Sequence, residues 1–168
     1  VCASDRGPRG GIVDLMDAKD MKFTPGRAKG GRTNQRWAHH PAEGAQLGRV
    51  LDELDALGRR DDTLVAVWAD HGWALGEHGL FCKQANFELQ TRVPLLVRAP
   101  WRANWAAAAA GRASAALVEL VDLFPTLAEL AGAPVEDGGA LASALEGTSF
   151  APLLDDPDRA WKAAAFSQ

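Results

Sequence analysis

Residues 63–100 read TLVAVWADHGWALGEHGLFCKQANFELQTRVPLLVRAP, the chain's densest set of potential ligands, set between two strand-like apolar runs. Thr63, Leu64, Val65, Ala66, Val67, Trp68 and Ala69 are mostly β-branched, aromatic or small, which suits a strand covered on both faces. Asp70, His71 and Gly72 continue such a strand poorly. Asp70 and His71 should therefore stand at its carboxyl end, where open parallel sheets build their ligand sites. Gly72, Gly76 and Gly79 allow tight turns and close backbone approach to a ligand, and Lys83 follows in a loop. Val93, Pro94, Leu95, Leu96 and Val97 form the second buried run, with Pro94 tolerable only near its start or on an edge.

Outward from this stretch, 168 residues suit one α/β domain with length enough for a real core. A hydrophobic content of 47% with 24% charged residues is ordinary for a folded chain. The net charge of -4 and the lack of a basic stripe argue against a nucleic-acid surface, so no nucleic-acid partner is expected. The alanine run at 106–110 is far too short to span a bilayer, and no charged-then-apolar leader opens the sequence, so membrane insertion is not expected. Cys2 and Cys82 give neither a disulfide framework nor metal-type spacing. The compartment is left unassigned.

Along the chain, residues 1–40 mix Gly7, Gly10, Gly11, Gly26, Gly30 and Gly31 with Arg6, Arg9, Arg27 and Arg32, and read as an irregular amino-terminal arm. His39 and His40 lack a carboxylate or cysteine at a useful offset for metal binding. Leu47, Val50, Leu51, Leu54 and Leu57 fall on one face at spacings of three and four, which predicts a helix over 41–57 stopped by Gly58. Residues 101–114 read as a loop or short alanine helix. Pro125 fixes the next element, since a helix running through it would cost about 3 kcal/mol. That helix should start with Asp122 as N-cap and Pro125 in its first turn, bury Leu127, Leu130 and Ala131, and end at Gly132. A short helix is expected at 141–145 and a strand at 163–168.

Asp70-His71-Gly72-Trp73-Ala74-Leu75-Gly76-Glu77-His78-Gly79, then Cys82-Lys83, Asn86-Phe87 and Arg92-Val93-Pro94-Leu95, form an ordered series. With residues 117–127 and 147–154, it resembles the sulfatases of the alkaline-phosphatase-like superfamily, and most closely their iduronate-2-sulfatase-like branch. The resemblance covers roughly residues 44–168. It implies an α/β fold with a mainly parallel sheet flanked by helices, a partial version of that architecture, with residues 41–168 as a partial catalytic domain. It further implies Ca2+ as cofactor, Asp70 and His71 as its ligands, and Lys83 as an ammonium donor to the sulfate. His71 is less usual as a partner for calcium, which prefers oxygen, and many sulfatases have Asn there; the His form is what resembles the iduronate-2-sulfatase-like branch. From the residues alone, Asp70 and His71 also fit a strand-end turn in which Asp70 caps the glycine-rich loop. Glu77 is placed to orient Lys83 or His78, Trp73 and Phe87 to pack, and Cys82 to be a small buried hydrophobe.

The sequence also departs from the family. The family's nucleophile is a formylglycine made from the cysteine of a Cys-x-Pro-Ser-Arg motif, and no such motif is present. Cys2-Ala3-Ser4-Asp5-Arg6 keeps only the Cys-to-Arg spacing. The family's paired aspartates also have no match. The resemblance therefore implies the carboxyl-side part of a sulfuric ester hydrolase, supplying part of the Ca2+ and sulfate site and inactive alone. Its partner would be a sulfated small molecule or polysaccharide. Two alternatives stand beside it: a phosphoester or phosphonate hydrolase of the same superfamily, and a non-enzymatic degenerate fragment.

Overall fold

The computed structural model describes residues 13–15, 41–101, 112–133 and 144–167. Strand β1 (Val13–Leu15) comes first, then helix α1 (Pro41–Ala56), which ends as its sequence predicts. Gly58 takes φ +68°, the Gly58 N–H donates to Asp55 O at 3.0 Å, and the Arg59 N–H donates to Leu54 O at 3.0 Å. This is a Schellman ending, in which a left-handed residue satisfies the last carbonyls. The expected apolar face is only partly covered: Leu47, Leu51 and Leu54 are half-buried, and Val50 and Leu57 are exposed.

A 3₁₀ turn, Arg60–Asp62, leads into β2 (Val65–Trp68). A small hairpin follows, β3 (Ala74–Leu75) and β4 (Phe81–Cys82), pairing Ala74 with Cys82 and Leu75 with Phe81. One-turn helix α2 (Glu88–Thr91) precedes β5 (Leu95–Arg98), so Pro94 sits just ahead of the strand, where a missing N–H is harmless. Then come β6 (Arg112–Ser114), α3 (Leu123–Leu130) and α4 (Ala151–Asp155).

The described sheet has the order β2-β5-β1-β6. β1 lies parallel to β5, with Val13 opposite Leu95, whereas β2 runs antiparallel to β5 and β6 antiparallel to β1. The α/β class is as expected. Among the described strands, however, the pairing is mixed, with one parallel pair and two antiparallel ones. Between β2 and β5 the chain makes only a hairpin and one helical turn. It lacks the crossover helix that returns a chain to a parallel start, so it comes back antiparallel. Trp68 pairs with Leu95, which puts the carboxyl end of β2 beside the amino end of β5. The ligand-rich loop thus lies at the end of β2, but the parallel-sheet rule does not place it there.

Leu95, Val97 and Ala99 point into the core with Leu123, Leu130, Phe150, Ala151, Leu153 and Leu154. On the other face of β5, buried Arg98 donates from Nη2 to Arg60 O at 2.9 Å, so the turn after α1 covers that side. Burial pulls the Arg98 guanidinium below its ordinary value, and the neighbouring Arg60 charge adds to the effect. β2 is half-buried with Trp68 exposed, so it is not covered on both faces as its composition implies.

Asp122 occupies the N-cap position of α3 and Pro125 its first turn, as predicted, but Asp122 makes no side-chain cap bond there. Its carboxylate, fully buried, accepts instead from the Glu119 N–H at 3.0 Å, the Thr148 N–H at 2.7 Å and Lys162 Nζ at 2.8 Å. Lys162 Nζ also reaches Glu119 Oε2 at 2.8 Å. Burial opposes the Lys162 charge, but these hydrogen bonds outweigh it and raise its pKa above the ordinary lysine value. The Lys162 bond, aided by the Phe166 N–H, holds the Glu119 carboxyl below its ordinary value. This cluster ties the 3₁₀ turn Leu120–Asp122, the loop ahead of α4 and the chain around residue 162 together.

Four sequence expectations are corrected, the first at Arg112–Ser114, which were read within a loop or short alanine helix and form β6 against β1. Residues 13–15, assigned to an irregular arm, form an inner strand of the described sheet, because β5 and β6 supply partners on both sides. Described residues 163–167 form no strand; the Phe166 N–H is bonded to Glu119 Oε1 at 2.9 Å rather than to a ladder. Ala131 is exposed beyond the Schellman end of α3 at Gly132, whose φ is +70°, and Leu127 is half-buried. The readings of Cys2, Arg6, His39 and His40, of the alanine run and of most of 141–145 lie outside the described residues.

Candidate active site

The loop leaving β2 turns at Ala69, which is buried, and releases Asp70 and His71 at the surface. Asp70's side chain is 80% exposed and that of His71 29%, so the carboxylate is open to a ligand while the imidazole is seated. The β3–β4 hairpin brings Lys83 back over the loop. Its tip needs left-handed backbone, supplied by Gly76 at φ +115° and Gly79 at φ +69°, with His78 and Cys82 strained into φ +57° and φ +74°. The Leu75 N–H donates to Glu77 Oε2 at 2.7 Å, so Glu77 braces its own hairpin.

The result is a convergence of all three residues singled out by sequence. Lys83 Nζ lies 2.7 Å from His71 Nε2, and Asp70 Oδ2 lies 3.1 Å from the same nitrogen. His71 Nδ1 lies 2.8 Å from Gly72 O. A carbonyl only accepts, so Nδ1 carries a hydrogen, and in the neutral ring Nε2 presents a lone pair that the Lys83 ammonium can meet as a donor. Asp70 Oδ2 and Nε2 are then two acceptors about one position. Such a pair suits a shared cation, since an anionic oxygen and a neutral imidazole nitrogen are both metal donors. Two donors fall well short of the six to eight that calcium takes. Among the described residues no group of three or more His, Cys, Asp or Glu is placed to hold a metal. The described chain fits one side of a cation site.

Gly72 is where the loop meets its support. Its N–H donates to Gln90 O at 2.7 Å, and a Cβ there would lie 1.9 Å from Leu89 O. The close approach expected of this glycine is thus to the chain's own helix α2. No side-chain pattern announces a carbonyl, so sequence reasoning missed Gly72 O and Gln90 O. Around the site, Trp73 is about half exposed with its ring 6.2 Å from that of His71, and His78 stacks on Phe87 at 4.1 Å. Cys82 is exposed on its two-residue strand, against the expectation of burial, because among the described residues no second layer covers the hairpin there.

The family model for sulfatases matches residues 43–133, more than half of the chain and including this whole site. The chain belongs to the sulfatase family. Mouse (Mus musculus) iduronate 2-sulfatase is 46% identical to this sulfatase over an alignment covering 54% of it and 20% of the mouse protein. A solved complex of a protein with its substrate D-glucosamine-2-N,6-O-disulfate is 30% identical with a TM-score of 0.62. It covers 81% of this sulfatase and 28% of that chain. Phosphonate monoester hydrolase from Silicibacter pomeroyi is also 30% identical, with a TM-score of 0.58 and coverage of 71% and 21%. The fold is therefore part of the alkaline-phosphatase-like architecture. This sulfatase spans about a fifth of the length of the curated relatives it matches. Among the described residues, no helix is long and apolar enough to cross a membrane.

Proposed function

We propose that this chain carries the cation-binding and sulfate-binding corner of a sulfuric ester hydrolase, with Asp70 and His71 as Ca2+ ligands and Lys83 as donor to the sulfate. The convergence of Asp70 Oδ2, His71 Nε2 and Lys83 Nζ supports this reading. A bound divalent cation would draw negative charge off the sulfate oxygens as the ester bond breaks. Asp70 offers an anionic oxygen and His71 an Nε2 lone pair that Lys83 would release. Lys83 is a compact point charge on a flexible stem, able to leave His71 for an incoming ester oxygen. Once on the ester oxygen, that ammonium would offset the negative charge that grows there.

Cys82 is followed by Lys83, Gln84 and Ala85, and no described residue fits the formylglycine setting. As an isolated polypeptide the chain is accordingly proposed to bind sulfate esters and turn them over little or not at all. Its ligand class is a sulfated small molecule or polysaccharide, and similarity to iduronate 2-sulfatase favours a uronate sulfate.

Similarity to the phosphonate monoester hydrolase supports a second reading, an oxyanion site for phosphonate esters. Phenyl sulfate and phenylphosphonate, each titrated with Ca2+ present while the Lys83 side-chain resonances are followed, separate the two. The sulfate should shift Lys83 at the lower concentration, with the His71 ring shifting alongside it, and Lys83→Gln should abolish that His71 response. Preference for the phosphonate would favour the second reading, and a His71 response unchanged in Lys83→Gln would refute Lys83 as the contact.

A further inference from the structure

We propose that Gly72 is a positioning residue of this site, tying the tautomer of His71 to helix α2. The proposal rests on the reading of His71 as a cation ligand, and it concerns what keeps Nε2 ready for that role.

The linkage runs through one residue's two backbone groups. The Gly72 N–H donates to Gln90 O at 2.7 Å, and the Gly72 carbonyl accepts from His71 Nδ1 at 2.8 Å. Gln90 is itself buried at 4% exposure, so the far end of the linkage is anchored in packed structure. Contact between residue 72 and α2 leaves no room for a side chain. A Cβ would lie 1.9 Å from Leu89 O, 2.9 Å from Leu89 C and 3.1 Å from Gln90 Cα, all of them backbone atoms that cannot swing aside. Glycine is thus required by space, and the carbonyl it carries is held where Nδ1 must donate.

The opposite tautomer would turn an Nδ1 lone pair on the Gly72 carbonyl at 2.8 Å, acceptor against acceptor, and although Asp70 Oδ2 at 3.1 Å could take its Nε2–H, Lys83 Nζ, a donor, stands nearer at 2.7 Å. With Nδ1 carrying the hydrogen, the Nε2 lone pair faces Lys83 Nζ and Asp70 Oδ2 together. Partners on the far nitrogen of a metal-binding histidine commonly set its tautomer and orientation. Here a backbone carbonyl does so, and its own placement depends on α2.

The test is long-range proton–nitrogen NMR on the cation-free chain, well above the usual imidazole titration range, with His71→Gln to assign the ring. A protonated Nδ1 and an unprotonated Nε2 are expected; a protonated Nε2 in the wild type overturns the proposal. Gly72→Ala should convert the single tautomer to a mixture while amide resonances of β5 and α3 stay in place. Unchanged His71 nitrogens in that variant would overturn it as well. Should Gly72→Ala fail to fold, hydrogen exchange at the wild-type Gly72 amide decides: protection is expected, and exchange at the open-loop rate refutes the anchor. All three readouts are made without a cation, so a failure of Asp70 and His71 to bind one would leave them unaffected.

Discussion

Replacing Lys162 by Met tests how the Asp122 cluster holds the fold together. Asp122 has no exposed surface, and its carboxylate faces Lys162 Nζ at 2.8 Å from each oxygen. Removing one partner of a buried pair costs about 3–5 kcal/mol, because the other charge stays buried without its counter-ion. The Glu119 and Thr148 N–H groups still donate to Asp122 in the variant, which places the expected loss near the lower end, about 3 kcal/mol. Methionine keeps most of the stem's packing, so the loss reports the charge. Urea unfolding followed by tryptophan fluorescence measures it, and Asp122→Asn in the same background should recover part of it. A loss below about 1 kcal/mol, the range of exposed pairs, or no recovery in the double variant, would refute the reasoning.

The same cluster sets a pH window. Glu119 titrates below its ordinary value in the fold, so its contribution is present above the unfolded carboxyl value and lost as pH falls through the folded one; Lys162 titrates above its ordinary value, so its contribution is lost only as pH rises through the raised one. Urea midpoints across pH should show a plateau between these limits, with Lys162→Met blunting both edges; an alkaline edge unchanged in that variant would count against the assignment. Thr126 is fully buried, donates to Asp122 O at 2.6 Å and accepts from the Phe150 N–H at 2.9 Å. Thr126→Val keeps the shape but orphans that N–H, so a loss of about 1–3 kcal/mol is expected in the same assay, and a neutral result would show that the bond is dispensable. Gly147→Ala would put a Cβ 2.0 Å from Val121 O, and should cost about 1–3 kcal/mol by forcing the backbone aside; unchanged stability would mean that the loop ahead of α4 yields freely.

How much was legible follows the physics of each signal. Helix α1 and its stop were readable because a side-chain period and a left-handed glycine are local properties. The start of α3 was readable because Pro125 excludes the alternatives. Sheet direction was not: composition marks Val65 to Trp68 and Leu95 to Arg98 as strands, but their relative direction depends on the connection between them. β1 was missed for a similar reason, since three residues carry little period of their own and are defined by their partners β5 and β6. At the site, Asp70, His71 and Lys83 were legible as residue types in a familiar order, and the hairpin brings them together. The tautomer of His71 was not, because it is set by the Gly72 carbonyl and by the backbone of α2. Likewise Asp122 reads as a helix cap, whereas its carboxylate is taken by Lys162, 40 positions along the chain.

The central claim is that Asp70 and His71 form one side of a divalent-cation site. Titration of the folded chain with Mn2+, followed by paramagnetic broadening in NMR, detects even weak oxygen and nitrogen coordination and tests it most directly. Selective broadening at Asp70, His71 and Lys83 is expected, reversed by excess Ca2+ and absent in Asp70→Ala. No selective broadening there in a folded wild-type chain, or broadening that survives in Asp70→Ala, would contradict it.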